Sequence, residues 1–345
     1  MDGSNRLEES LECFAGRGPE FRGGRSNHGP MAVEALAQMG QDEALLPWAA
    51  RYRQRLDVAP SSRFPIGEAD WPEALGDMRR VGDWTVFFVR ELATAPFREV
   101  ARRWVPRLLP GLMAAATHGP IRTFHALRAL EQQLTELRVD ELAQALGYWA
   151  ARYQTLPGDP RPRGGQEMTA AAGQLARLAS VERGQGLIFE RMKVLEERPD
   201  FPALVASVAP VADIQGAFSA LTKTGAQAYL ANASHAPIAL VHAVTAPAAV
   251  RGMLPLLSPS QQRVALAYAW QAVAGLIATN APAGVSEAAS SQPVRTNQEL
   301  ISQAVASGDE HAIKLTEAAL RENALTPASV YLLAAADAGV RLACA

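Results

Sequence analysis

The sequence predicts an almost all-helical fold. Three observations carry that expectation. Apolar residues recur at three- and four-residue spacing along most of the chain. Alternation of apolar and polar residues over a strand's length is nearly absent, with TVFFV (85–89) the best candidate and its flanks still helical in pattern. Alanine, the strongest helix former, is abundant. With 345 residues, 48% of them hydrophobic and 20% charged, the chain can bury a large core as one large or two modest domains.

The elements follow in order. Residues 1–26 are rich in Gly, Arg and Glu and suggest a flexible lead-in. Helical periodicity then runs through 31–40, 42–56, 83–118, 121–137, 140–156, 167–181 and 202–234. It continues through IALVHAVTAPAAVRGMLPLL (238–257), 258–280 and two segments between about 297 and 342. Two breaks interrupt it, the Pro/Gly-rich PGDPRPRGGQ (157–166) and the small, polar 281–298; either could bound a domain. No fixed-period repeat appears, which disfavours a regular solenoid. The expectation is one irregular multi-helix domain over 27–345 with a buried metal site.

Composition narrows the function classes. A net charge of −2 offers no basic surface for nucleic acid or an anionic membrane. The two cysteines, Cys13 and Cys344, lie at opposite ends of the chain. They form neither a disulfide framework nor a thiolate metal site, which fits a reducing cytoplasm. The polar, acidic start is unlike a signal peptide, and every long apolar run is cut by charge, Gly or Pro. A soluble, cytoplasmic protein is expected.

Chemistry concentrates in six histidines: His28, His118, His125, His235, His242 and His311. His28 (SNHGP) and His118 (THGPIR) share a His-Gly-Pro arrangement at a helix start, where proline suits the first turn. His242 is inside the apolar LVHAVT, and His311 lies one helical turn before Lys314 in DEHAIKL. A single such histidine is usually a buried or surface residue with ordinary hydrogen bonds. Several at helix starts and on apolar helix faces match the way helical proteins build metal sites. His118 and His125 are seven residues apart, as are His235 and His242. On a continuous helix that is a rise of roughly 10.5 Å, too far for two imidazoles bound at roughly 2.0–2.1 Å to share one ion. One member of each pair can therefore ligate, together with His28 and His311, which caps the set at four imidazoles. An isolated Lys314 would by itself read as a solvated surface lysine.

Taken together, Asn27-His28 with its apolar helix and Gly40, His118 with Pro120-Ile121, His242-Ala243-Val244-Thr245, and Asp309-Glu310-His311-Ala312-Ile313-Lys314 resemble the questin oxidase-like family of helical oxygenases. The resembling residues span 27–314 in the family's order. The family includes enzymes that oxidise or open anthraquinone rings in polyketide pathways. The resemblance implies a mononuclear non-heme iron held by His28, His118, His242 and His311, with a terminally carboxylated Lys314 as fifth ligand. His125 and His235 are then the non-ligand members of their pairs. Neutral imidazoles leave the charge of Fe(II) uncompensated, and a carbamate on Lys314 would supply a hard anionic oxygen. Carbamate formation needs the neutral amine, hence a buried lysine. Five ligands would leave one octahedral position for dioxygen or an ionised phenolic substrate. Lys314 and His311 are accordingly the expected catalytic pair. Asp309 and Glu310 could act as acceptors that fix imidazole tautomers. Arg122, a turn beyond His118, could meet an anionic substrate, although a surface ion pair is the plainer reading. Trp270, Tyr268, Tyr148 and Trp149 are candidate pocket aromatics whose plainer reading is core.

Three functions follow from these residues. The first is an iron-dependent dioxygenase that opens an aromatic polyketide ring. The second is a Baeyer–Villiger-type monooxygenase of the same family using NADPH as co-substrate. No Gly-rich dinucleotide fingerprint follows a strand, so a built-in nicotinamide or flavin site has no support. The third is a non-catalytic helical binding protein whose metal site has decayed. A metallohydrolase is disfavoured, since HExxH spacing is absent.

Overall fold

A computed structural model describes residues 3–180, 186–285 and 295–344. The described residues form seventeen α-helices, short 3₁₀ turns and one two-stranded antiparallel ribbon. The fold is all-α, as the periodicity and the alanine content require. Contacts divide the chain into two compact units. One comprises Met1–Thr155 with Pro255–Leu257, the other Leu156–Leu254 with Ser258–Ala345. The division at Thr155 immediately precedes the Pro/Gly-rich break at 157–166. Half of the second break, 281–298, lies outside the described residues.

The first unit contains α1 (Gly3–Glu12), the ribbon β1 (Glu20–Phe21) and β2 (Arg25–Ser26), α2 (Gly29–Gln38), α3 (Asp42–Tyr52), α4 (Trp71–Ala74), α5 (Val81–Thr94), α6 (Phe97–Leu108), α7 (His118–Gln132) and α8 (Glu136–Ala151). TVFFV lies within α5, where Trp84, Phe87 and Phe88 bury one face with Trp104 of α6 in edge-to-face contacts. The segment read as a flexible lead-in is built into this unit. Leu7, Leu11 and Phe14 are buried, α1 packs on α3, and Arg152, just past the end of α8, forms a two-point ion pair with Glu20 of β1 at 2.6 Å. A few scattered apolar residues among many Gly, Arg and Glu carry too weak a period to show this in the sequence.

The periodic stretch 83–118 is not one helix. Beyond α6 a 3₁₀ turn at Leu109–Gly111 leads to Ala115, Ala116 and Thr117, with φ of 51°, 56° and 73°. Three successive non-glycine residues in the left-handed region reverse the chain just before α7. Alanine's high helix preference concealed this turn.

The second unit contains α9 (Met168–Ala176), α10 (Ile188–Arg191), α11 (Asp200–Ala206), α12 (Ile214–Asn232), α13 (Pro237–Met253), α14 (Pro259–Asn280), α15 (Asn297–Ser307), α16 (Glu310–Leu325) and α17 (Ser329–Arg341). α13 packs against α12, α14 and α16. Residues Pro237–Leu256 are long and apolar enough to cross a membrane by length and composition, yet an 18-residue apolar stretch within them is 78% buried inside the protein. Its apolarity is that of a central core helix surrounded by others.

Candidate metal centre

In the first unit, two loop-to-helix junctions place His28 and His118. Each histidine precedes a Gly-Pro pair in which the proline occupies the first helical turn, where its missing N–H costs nothing. The glycines serve close packing. A Cβ on Gly29 would lie 2.6 Å from the Phe14 ring, and one on Gly119 would lie 2.8 Å from Trp149 Cα. His28 is anchored through its backbone, whose N–H donates to the Tyr52 hydroxyl at 3.0 Å; Asn27 accepts from Gly29 N at 2.9 Å. The His118 Nδ1–H donates to the Ala115 carbonyl at 2.5 Å, which assigns the proton to Nδ1 and leaves the buried Nε2 with the lone pair. The two rings stack at 4.5 Å between centroids and 14° between planes.

In the second unit, His242 lies mid-way along α13 and is fully buried, and His311 begins α16. Their rings meet edge to face, with centroids 6.0 Å apart. Asp309 caps α16, accepting from the backbone N–H of His311 at 2.8 Å and of Ala312 at 3.0 Å. Its Oδ1 also lies 3.5 Å from His311 Nδ1, so capping the helix is its better-formed role. Burial pushes the Asp309 carboxyl up, but His311 and the backbone N–H groups outweigh it and hold it below the ordinary range. Lys314, one turn beyond His311, is 1% exposed, and its Nζ meets no hydrogen-bond acceptor among the described residues. Burial brings its amine down to about 8, against the opposing charges of Glu310 and Asp309. The surface-lysine reading is thereby excluded. Glu310 is itself buried at the start of the same helix.

The ring separations within each unit are short enough for two imidazoles to share one ion. With nitrogens bound at roughly 2.0–2.1 Å, two rings on one ion have centroids at most about 6.4 Å apart, and about 4.5 Å apart at a right angle. The observed 4.5 Å and 6.0 Å fall inside that range. His28 and His118 are buried in the first unit, and His242 and His311 are buried in the second.

The remaining residues singled out in the sequence are placed as follows. His125 shares α7 with His118, and its Nδ1 lies 2.6 Å from Glu34 of α2, which also accepts two bonds from Arg128. His235 is half-buried in the turn before α13, not on it, so the helical-rise argument for His235 and His242 does not apply. Arg122 is an ion-pair residue but not a surface one. It is 1% exposed, and its Nε and Nη2 donate to Glu141 at 2.6 and 2.7 Å. Trp149 and Trp270 are core residues that donate to the Gly111 and Val205 carbonyls. Tyr148 is likewise buried and bonds Ser26 and Glu20, while Tyr268 is half-buried. Sequence reasoning missed Glu34 and Glu141. A buried carboxylate on an amphipathic helix looks like any surface glutamate until its partner from another helix is known.

The chain belongs to the questin oxidase-like family, whose match covers residues 25–319. No curated protein matches it. Membership implies an oxidoreductase and suggests an oxidase of aromatic polyketide metabolism.

Proposed function

We propose that the protein is a non-heme iron oxygenase that opens an anthraquinone-like ring, with His28, His118, His242, His311 and a carboxylated Lys314 as the ligands of one iron ion. Lys314 carries this reading. A lysine amine that is wholly buried, lacks an acceptor among the described residues and sits one turn from a buried histidine is expensive to maintain for packing alone. Its amine, brought down to about 8, has an appreciable neutral fraction near pH 7–8. The neutral amine can form an N–C bond to carbon dioxide, releasing one proton and leaving an anionic oxygen.

Iron, when bound, would supply the redox chemistry for dioxygen. The chain's own residues perform the rest. The Ala115 carbonyl fixes the His118 tautomer, and Asp309 fixes the first turn that presents His311 and Lys314. The apolar surroundings of α13 exclude water around His242. Dioxygen and a small aromatic substrate are the reactants, and NADPH would enter only as a diffusible co-substrate. The test is anaerobic reconstitution with Fe(II) and bicarbonate, followed by metal analysis and an oxygen-uptake assay with a hydroxyanthraquinone or anthrone. One iron per chain and substrate-dependent oxygen uptake are expected. Protein that binds no iron under these conditions would end the proposal.

A further inference from the structure

We propose that Arg122 is a substrate-binding residue whose outer guanidinium nitrogen donates to a neutral carbonyl oxygen of the aromatic ligand. This deepens the oxygenase reading and rests on it. Arg122 follows His118 by one helical turn on α7, so the two side chains leave the same face of the helix. Glu141 of α8 accepts from Nε and Nη2 at 2.6 and 2.7 Å, and Gln144 accepts from Nη2 at 3.3 Å. These contacts fix the guanidinium plane from one side. Its Nη1 is buried and has no hydrogen-bond partner among the described residues. An arginine that is 1% exposed with two N–H groups unused invites an explanation, because an unmet buried donor is costly.

Charge decides the ligand class. Glu141 already balances the guanidinium in a two-point pair, so an arriving anion would leave a net negative charge buried at that point. A neutral acceptor creates no such excess, and a quinone-type carbonyl presents its lone pairs to N–H donors in plane. The Arg122–Glu141 pair therefore selects an oxygenated aromatic ring over a carboxylate, which replaces the anionic role that the sequence suggests for Arg122. A trapped water could also meet Nη1, and the test separates the two.

The probes are 9-fluorenone and fluorene, tricycles differing only by a carbonyl, with fluorene-9-carboxylate as the anionic comparison. Binding to the full chain is read by quenching of tryptophan fluorescence. Wild type should bind fluorenone at least about tenfold more tightly than fluorene, the gain of one charge-assisted hydrogen bond. Arg122→Met should reduce that ratio to within about twofold while leaving fluorene binding unchanged. Because this variant strands Glu141, the double variant Arg122→Met/Glu141→Met is measured beside it; apolar replacement of a buried ion pair is usually tolerated. Overturning results are equal affinity or no binding of the two neutral probes by wild type, a preference that survives both variants, or tightest binding of the carboxylate. Iron content is measured in the same preparations. Loss of the iron site alone would count against the oxygenase reading and leave the fluorenone ratio to be judged separately.

Discussion

At the scale of single residues, the metal-centre proposal concentrates on Lys314, because its buried amine meets no hydrogen-bond acceptor among the described residues. Lys314→Ala should lower iron affinity by at least about tenfold and abolish oxygen uptake, and bicarbonate should not restore either. Lys314→Arg should fail as well, since guanidinium remains cationic and cannot become an anionic ligand. Retention of both iron and activity by Lys314→Ala would remove Lys314 from the site. The left-handed run Ala115–Thr117 is the second feature at this scale. Each such non-glycine residue costs of order 1 kcal/mol or more. The run carries the carbonyl that orients His118, so the strain sits beside a ligand candidate. Ala116→Gly should therefore leave stability unchanged or raise the melting temperature by a few degrees, against the usual penalty for glycine. A clear fall in melting temperature would show that the methyl's packing outweighs the backbone strain.

At the scale of elements, α7 carries two histidines with different tasks. His118 starts the helix beside His28, whereas His125, two turns later, clasps Glu34 and so ties α7 to α2. His125→Ala and His235→Ala should each retain iron near the wild-type level, and iron loss matching His118→Ala would overturn that assignment. Glu34 adds a pH dependence. Burial would raise its carboxyl, but Arg128 and His125 outweigh it and hold it below the ordinary carboxylate value. A depressed carboxyl pKa contributes stability that is complete above the unfolded value, roughly pH 4–4.5, and is lost as the pH falls through the folded value. Wild type should accordingly lose melting temperature more steeply than Glu34→Gln between about pH 5 and pH 3; parallel acid profiles would show that the clasp contributes nothing.

What the sequence reveals at this scale depends on periodicity and on helix-start chemistry. The helices of 121–156 and 258–280, the two His-Gly-Pro junctions and the inward direction of Lys314 follow from local pattern or from family resemblance. The turn at 115–117 was hidden because its alanines favour a helix, and the close packing of Gly119 on Trp149 just after it involves a residue 30 positions away that no local pattern reveals. The carboxylate partners Glu34 and Glu141 come from other helices, 91 and 19 residues away in sequence, so nothing local identifies them.

At the scale of the molecule, the ligand candidates are drawn from residues 28 to 314, so iron binding and folding should be linked. Any ligand that binds only the folded state stabilises it by about 2.7 kcal/mol at a hundredfold excess over its dissociation constant. Iron-loaded protein should therefore melt several degrees above the metal-free form, and His242→Ala, which removes a wholly buried ligand candidate, should lose that increment. The reaction type is decided by stoichiometry in the loaded protein. Ring opening by a dioxygenase consumes one dioxygen per substrate, places both oxygen atoms in the product and needs no NADPH. A Baeyer–Villiger monooxygenase consumes one NADPH per dioxygen and releases one oxygen atom as water. Mass spectrometry after turnover under ¹⁸O₂ should show two labelled atoms per product molecule, with NADPH unchanged. One labelled atom, with equimolar NADPH oxidation, would reassign the protein to the monooxygenase reaction while leaving the ligand set intact.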